Sequence, residues 1–339
     1  MRSDMLPLLR VAGDHRRVGL DVGLATADAV RRAAASMSPA QVAEARPYRD
    51  VTAAELPWLV EELDAVAEGA DADPLAVFAA SIEEIGAGEP VPEGRCSDMV
   101  ACPPASADGH MWVAHNNDLP PAEEDDLVAI EWRVPGDPVV FTIGIGPWIS
   151  VGFNSAGLAL TGNEVSPNDN RVGIPRLLHV RDIVRRRTLD DAVFAALHPR
   201  RASSYNTILS HRSGGVVNVE GSATDAELVR PGPAGTLAHT NHYVSERMLR
   251  YEGDPEYAVG SAVRYRRALE WLAPGEITEH ILRRALQDHT GAPHALCRHP
   301  EDGSSSKTVF WCVADVTVGA ITYGRGNPCN SVEQRYEFD

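Results

Sequence analysis

The segments SDMVAC (97–102), HMWVAHNND (110–118), VAIEWRV (128–134), DPVVFTIGIG (137–146) and WISVGFNSAGLALTGNEV (148–165) decide the fold. Each is a short apolar or alternating run bounded by turn residues, the pattern of a β-strand with at least one buried face. In the last of them Asn154-Ser155-Ala156-Gly157 has hairpin-turn chemistry between two apolar runs. The stretch therefore reads as a meander of antiparallel strands. Working outward, IPRLLHVRDIVRRR (174–187) and TLDDAVFAAL (188–197) read as helices, and SYNTILSH (204–211) with GGVVNVEG (214–221) as another hairpin. Helices at SAVRYRRALEWL (261–272) and ITEHILRRAL (277–286) precede a closing strand pair, TVFWCVADVTV (308–318) and GAITYG (319–324). Upstream, residues 16 to about 88 read as helical, with Thr52 and Glu55 in a T-x-x-E capping box before PWLVEELDAVAEGA. Strands followed by helices followed by strands imply an α+β sandwich, antiparallel sheets covered by helices, with an N-terminal helical segment.

The strongest break in composition is GAGEPVPEGRC at 86–96, too rich in Gly and Pro to continue a helix. It ends on Cys96, where the strands begin. A thiol is a weak nucleophile until a base takes its proton, and enzymes place a histidine beside it or use a free α-amino group. That amine has an ordinary pKa of about 7.7–8.0, so a useful fraction is uncharged at neutral pH. Cleavage of the Arg95–Cys96 bond would create nucleophile and base on one residue.

Composition narrows the function classes. The chain has 339 residues, 44% of them hydrophobic and 23% charged, ample for a large core. A net charge of -17 and a pI near 5.1 oppose nucleic-acid and anionic-membrane partners. No stretch approaches the roughly 20 apolar residues that span a bilayer, and charges interrupt the first apolar residues too early for a signal peptide, so a cytoplasmic protein is expected. Five cysteines, an odd number with no C-x-x-C pair, speak against a disulfide framework and give structural zinc none of its usual spacing.

Taken in order, these segments resemble the acyl-coenzyme A:6-aminopenicillanic acid acyltransferase family, N-terminal-nucleophile (Ntn) hydrolases with an autoproteolytic cysteine. Arg95-Cys96-Ser97 stands where the family has Gly-Cys-Thr, and Ala114-His115-Asn116-Asn117-Asp118 is similar to its G-Q-N-x-D strand. GFNSAGLALTGNEV, the 174–197 helices, HTNHYV (239–244), CRH (297–299) and the closing strands to Cys329 follow in the family's order. The resemblance implies a four-layer αββα sandwich. It also implies cleavage into a 95-residue helical chain and an Ntn core of the remaining 244 of 339 residues, the two staying associated. It makes Cys96 the nucleophile, Asp118 the carboxylate holding the new α-amino group, and Asn241 the oxyanion donor, a contribution of about 2.7–4 kcal/mol in the transition state. Ser97, His115 and Asn116 would stand near the substrate, as would His239 and His242, with Ser261 and Arg264 behind them.

The departures are specific. Arg95 replaces a glycine, His115 stands where relatives have Gln or Arg, and Ala262 and Ala295 replace polar positions, which argues against a penicillin-type substrate. The partners implied are a small acyl donor, amide or thioester, with water or an amine as acceptor. No cofactor is indicated: Tyr323-Gly324-Arg325-Gly326 opens no helix and resembles no phosphate loop. His239-x-x-His242 with Glu246 offers metal-ligand types without the H-E-x-x-H pattern, and no metal is assigned. The arginines of VRRRT (184–188) and VRYRR (263–267) suit either an anion such as coenzyme A or, more commonly, a solvated helix face. Two alternatives remain open: a Cys96–His115 hydrolase without cleavage, and an unprocessed binding protein of the same fold. A homo-oligomer is compatible with either.

Overall fold

Period-2 alternation puts two different cores on the two faces of one strand, and that rule organises the molecule. The computed structural model describes residues 4–85, 96–253, 257–303 and 305–338. Arg95, and with it the expected cleavage bond, lies outside the described residues.

The chain opens with a strand, β1 (Leu8–Ala12), and five helices: α1 (His15–Ala25), α2 (Ala27–Ser36), α3 (Pro39–Glu55), α4 (Pro57–Ala70) and α5 (Pro74–Ala80). Asp14 and Asp73 cap α1 and α5 through their side chains, and a capping box of Ser38 and Gln41 starts α3. The box expected at Thr52 and Glu55 does not form. Thr52 lies inside α3, its hydroxyl donating to the Tyr48 carbonyl at 2.8 Å, and Pro57 opens α4 instead. Helices α1 and α4 touch backbone to backbone, since a Cβ on Gly23 would lie 2.1 Å from the Val66 carbonyl oxygen.

Fourteen strands are described. After β1 come β2 (Cys96–Ala101), β3 (Trp112–Leu119), β4 (Leu127–Arg133), β5 (Val140–Ile145), β6 (Trp148–Asn154) and β7 (Leu158–Asn163). Helices α6 (Arg176–Val184) and α7 (Leu189–Ala196) follow, then β8 (Asn206–His211), β9 (Gly215–Gly221), β10 (Ala226–Val229) and β11 (Thr236–His239). Helices α8 (Tyr257–Leu272) and α9 (Glu279–Leu286) lead to β12 (Lys307–Asp315), β13 (Ala320–Arg325) and β14 (Glu333–Glu337). The order is β1-β4-β5-β6-β7-β8-β9-β10 in one sheet and β11-β2-β3-β12-β13-β14 in the other.

The strand-rich stretch is therefore not one meander. Its first two strands belong to the second sheet, and a 3-10 turn at Pro121–Asp126 carries the chain across to the first. The 154–157 turn forms as expected, with Asn154 Oδ1 accepting from the Ala156 and Leu158 N–H groups and Gly157 at φ 99°. One pairing is not antiparallel: β1 runs parallel to β4.

Three cores separate four layers. Val128, Ile130 and Trp132 of β4 pack with residues of α1, α4, α5 and α6 on the outer face of the first sheet. The alternate residues Leu127 and Ala129 join Phe141, Ile143, Val100 and Val113 between the sheets. Met99, Ala114 and Trp311 face Ala268, Leu282 and Leu286 of α8 and α9. This is the helix–sheet–sheet–helix order expected of the sequence. No helix among the described residues is long and apolar enough to cross a membrane.

Candidate active site

Cys96 is the first residue of β2 and pairs with Asn117 of β3, while Asp98 pairs with His115. Alternation sends Cys96, Asp98, His115 and Asn117 to the inter-sheet face and Ser97, Asn116 and Asp118 to the side of α8 and α9. Every residue of β2 and β3 is buried, so each polar side chain there needs a partner.

Three groups fix the Cys96 backbone. Its N–H donates to Asn241 Oδ1 at 3.0 Å. Its carbonyl accepts from Arg264 Nη1 at 2.5 Å, and the same nitrogen reaches Ser97 Oγ at 3.0 Å. Arg264 Nη2 closes the triangle on Asn241 Oδ1 at 3.0 Å. Asn241 in turn donates from Nδ2 to the Glu164 carbonyl at 2.9 Å. Ser261 organises the loop beneath, accepting from Asn241 N–H at 2.6 Å, donating to Thr240 Oγ1 at 2.8 Å and standing 2.7 Å from His242 Nδ1.

The thiol faces other groups. Cys96 Sγ stands 3.6 Å from Asn117 Oδ1, and His115 reaches that same oxygen with Nε2 at 3.2 Å and Asp98 Oδ1 with Nδ1 at 3.0 Å. Burial pushes the Cys96 thiol up, and a hydrogen bond with His115 offsets part of that. For His115 burial acts downward, but the Asp98 carboxylate beside it holds the imidazolium well above the ordinary range. Asp118 is raised by burial against the pull of Arg298 and Arg264. Its Oδ1 accepts from Thr308 Oγ1 at 2.7 Å, whereas Oδ2 is buried with no hydrogen-bond partner.

Cys96 lies in the wall of a cavity of about 450 Å³ between the first sheet, the end of β3 and helices α2 and α6. Its polar end holds Asn117, Thr161 and Asn163, and the amide nitrogens of both asparagines are buried without partners. Leu119, Ile145, Trp148, Ile149, Leu160 and Val180 line the rest. Glu83 and Glu164 at its edge are paired with Arg176 at 2.9 and 3.0 Å.

The model of the acyl-coenzyme A:6-aminopenicillanic acid acyl-transferase family matches residues 105–330. The chain belongs to that family. The match begins downstream of Cys96, which lies outside the matched residues of this acyl-transferase family member. No curated protein matches it in sequence. Among solved structures it is similar to an N-acylethanolamine-hydrolyzing acid amidase ortholog from Caenorhabditis elegans, at 15% identity and a TM-score of 0.45, over 66% of this chain and 93% of that one. It is also similar to a mutant conjugated bile acid hydrolase from Clostridium perfringens, at 13% identity and 0.44, over 72% and 97%. Penicillin V acylase from Agrobacterium tumefaciens gives 12% and 0.44, over 71% and 86%.

In this acyl-transferase family member the structure gathers Cys96, Ser97, Asn241, Ser261 and Arg264 into one network, with His115 and Asp118 on the adjacent strand. Asn116 stands apart, its amide donating to the Leu286 and Leu296 carbonyls as a pin for α9 and the loop after it. His239 and His242 do not converge on a common point. His239 contacts Asn163 Oδ1 at 3.0 Å and Glu220 Oε1 at 2.8 Å, while burial pushes His242 down to about 4. Arg185, Arg186 and Arg267 pair with the largely buried carboxylates of Asp137, Asp182 and Asp288, whereas Arg264 of the second run is wholly buried and is no part of a solvated face. Sequence reasoning missed Asp98 and Asn117. The signal available was a period-2 partner for Cys96 on its own strand and an unassigned position in the N-N-D run.

Glu220 anchors the loop that carries Asn241, accepting from Val244 N–H and Ser245 N–H at 2.8 Å each as well as from His239. Burial would raise its carboxyl, yet these donors hold it down at about 2, against an ordinary 4.5. A depressed folded-state value contributes stability fully above the unfolded value and loses it as pH falls toward the folded one. Glu220→Gln is therefore expected to cost on the order of 3 kcal/mol at neutral pH. The gap from wild type should shrink as denaturation midpoints are followed from pH 5 down toward pH 2. A gap that does not change over that window would show that the carboxylate contributes nothing as a charge.

Proposed function

We propose that the protein is a cysteine amide hydrolase or acyltransferase, activated by its own cleavage between Arg95 and Cys96, acting on a small N-acyl or aminoacyl amide or an acyl thioester. The observation that carries this reading is Cys96 Sγ at the polar end of a largely apolar cavity, its backbone locked by Asn241 and Arg264. In cleavage, Sγ attacks the Arg95 carbonyl, the peptide nitrogen leaves as the Cys96 amine, and water hydrolyses the thioester to a carboxylate on Arg95. In turnover the amine takes the thiol proton and the thiolate attacks the substrate carbonyl. The oxyanion is met by side-chain amides, Asn241 by family position and Asn117 by its unpartnered buried Nδ2. The leaving amine takes the proton, and water or a second amine then accepts the acyl group. Asp118 Oδ2, buried and unpartnered, suits a new ammonium group.

One observation favours a second reading. Asp98, His115 and Cys96 share one strand face in the order carboxylate, imidazole, thiol, the parts of a Cys–His hydrolase that needs no cleavage. By holding His115 above its ordinary range, Asp98 makes the imidazole the stronger base toward the thiol in that reading. Intact mass after incubation with a panel of acyl-amide and acyl-thioester probes tests both. Fragments of 95 and 244 residues, with the acyl adduct on the larger, are expected. A single 36.5 kDa chain acylated at Cys96 would replace the first reading with the second, and one that never acylates would sink both.

A further inference from the structure

Away from the cavity, two loops, the one after α9 and the one between β13 and β14, bring together His289, Cys297, His299 and Cys329, whose ligand atoms all lie within 4.8 Å of one another. Cys297 Sγ is 3.8 Å from Cys329 Sγ, and both are free thiols. His299 Nε2 is 3.6 Å from Cys297 Sγ, 3.5 Å from Cys329 Sγ and 3.1 Å from His289 Nε2. Protons alone do not account for this convergence, because one imidazole nitrogen carries either one hydrogen or one lone pair, and three partners address it.

A tetrahedral metal does account for it. With zinc–sulfur bonds of about 2.3 Å and zinc–nitrogen bonds of about 2.0–2.1 Å, the edges of the ligand tetrahedron come to roughly 3.8 Å between sulfurs, 3.5–3.6 Å between sulfur and nitrogen and 3.3 Å between nitrogens. The edge between the sulfurs and the two from His299 to them agree to within a tenth of an ångström and the nitrogen edge to about two tenths, while the edges from His289 to the sulfurs lie within 4.8 Å. We propose that His289, Cys297, His299 and Cys329 form a Cys2His2 zinc site.

Thiolate and imidazole together suit Zn²⁺ and disfavour the hard oxygen-seeking cations. Four protein ligands leave no open position, so the site is structural. On binding, each thiol releases its proton to solvent, and two thiolates balance the two charges of the ion. Asn327 Nδ2 lies 3.5 Å from Cys297 Sγ, placed to donate to a thiolate, and donates to the Arg298 carbonyl at 2.6 Å. The pattern H-x7-C-x-H-x29-C has no C-x-x-C pair because its two cysteines come from separate loops.

The position gives the site a purpose. Arg298 stands between two of the ligands, buried, its backbone joined to Thr308 by bonds of 3.0 and 3.1 Å. Thr308 is the donor to Asp118. A metal here holds the segment that sets both Arg298 and Thr308 against that carboxylate.

The test uses the full chain, purified reduced from zinc-supplemented cells. One zinc per chain is expected, exchangeable for Co²⁺ with the intense visible bands of a tetrahedral ion and near-ultraviolet thiolate charge transfer. Cys329→Ser should lose the charge-transfer intensity of one thiolate and bind zinc more weakly by more than the about 10–100-fold that loss of a supporting hydrogen bond costs. Cys329→His should keep a tetrahedral cobalt spectrum. Wild-type protein that takes up neither ion while both thiols react with a thiol reagent overturns the proposal. So does a cobalt spectrum that Cys329→Ser leaves unchanged, or recovery of the pair as a disulfide that reductant opens without restoring metal uptake.

Discussion

Replacing Cys96 by alanine is expected to leave the fold standing and lower turnover by at least about 10⁴-fold, the order seen when a nucleophile is removed from a working set. The fold should survive because both clamps on this residue are made by its backbone, the N–H to Asn241 and the carbonyl to Arg264. Only a buried sulfur is lost, a change of about 1 kcal/mol. The same variant should remain a single chain of 36.5 kDa, since the thiol proposed to attack the Arg95 carbonyl is gone. Cys312 serves as the internal control: it too is buried, with its thiol pushed up by burial and then by the Asp98 charge, and its replacement by alanine should cost stability and not chemistry. Turnover by Cys96→Ala at even a hundredth of the wild-type rate would move the nucleophile elsewhere.

Arg264→Met is expected to cost about 3–5 kcal/mol of stability and to reduce the rate by more than about 100-fold. Arg264 is wholly buried, and one planar guanidinium holds the Cys96 carbonyl, Ser97 Oγ and Asn241 Oδ1 together. Removing it takes a donor from three buried acceptors, of which Asn241 Oδ1 keeps the Cys96 N–H, and it withdraws a positive charge that pulls against the burial-driven rise of Asp118. Arg264→Lys keeps the charge without the fork and should recover stability more than rate. Denaturation midpoints and single-turnover acylation, measured on both variants, separate these contributions. Equal rates for the lysine variant and wild type would show that charge alone matters there.

The fold was largely legible in the chain because the inter-sheet core imposes alternation on nearly every long strand. Residues of β4 read as a strand from their pattern alone, and Leu127 and Val128 duly fall into different cores. The missed strands β1, β10, β11 and β14 are four or five residues long, too short to display a period. Their pairing is set by tertiary neighbours. The partition of the run between two sheets was hidden for another reason: the crossing at Pro121–Asp126 looks, residue by residue, like any acidic loop. At the candidate site, Cys96, Asp118 and Asn241 were singled out through resemblance, whereas Asp98 looked like an ordinary strand residue until β3 placed His115 opposite it. The cluster beside α9 was invisible for the same reason, since Cys329 comes to His289, Cys297 and His299 from a loop distant in sequence.

The parallel pairing of β1 with β4 bears on how such an enzyme diversifies. Residues 4–85 supply an edge of the first sheet and, through Ala29, Arg32 and Ala33 of α2, part of the wall of the cavity that Cys96 lines. Processing before Cys96 would make the active enzyme a complex of two gene-linked subunits whose recognition surface and reactive group sit on different polypeptides. Mutational drift in the first could then retune which acyl group is accepted while the strands bearing the thiol stay untouched.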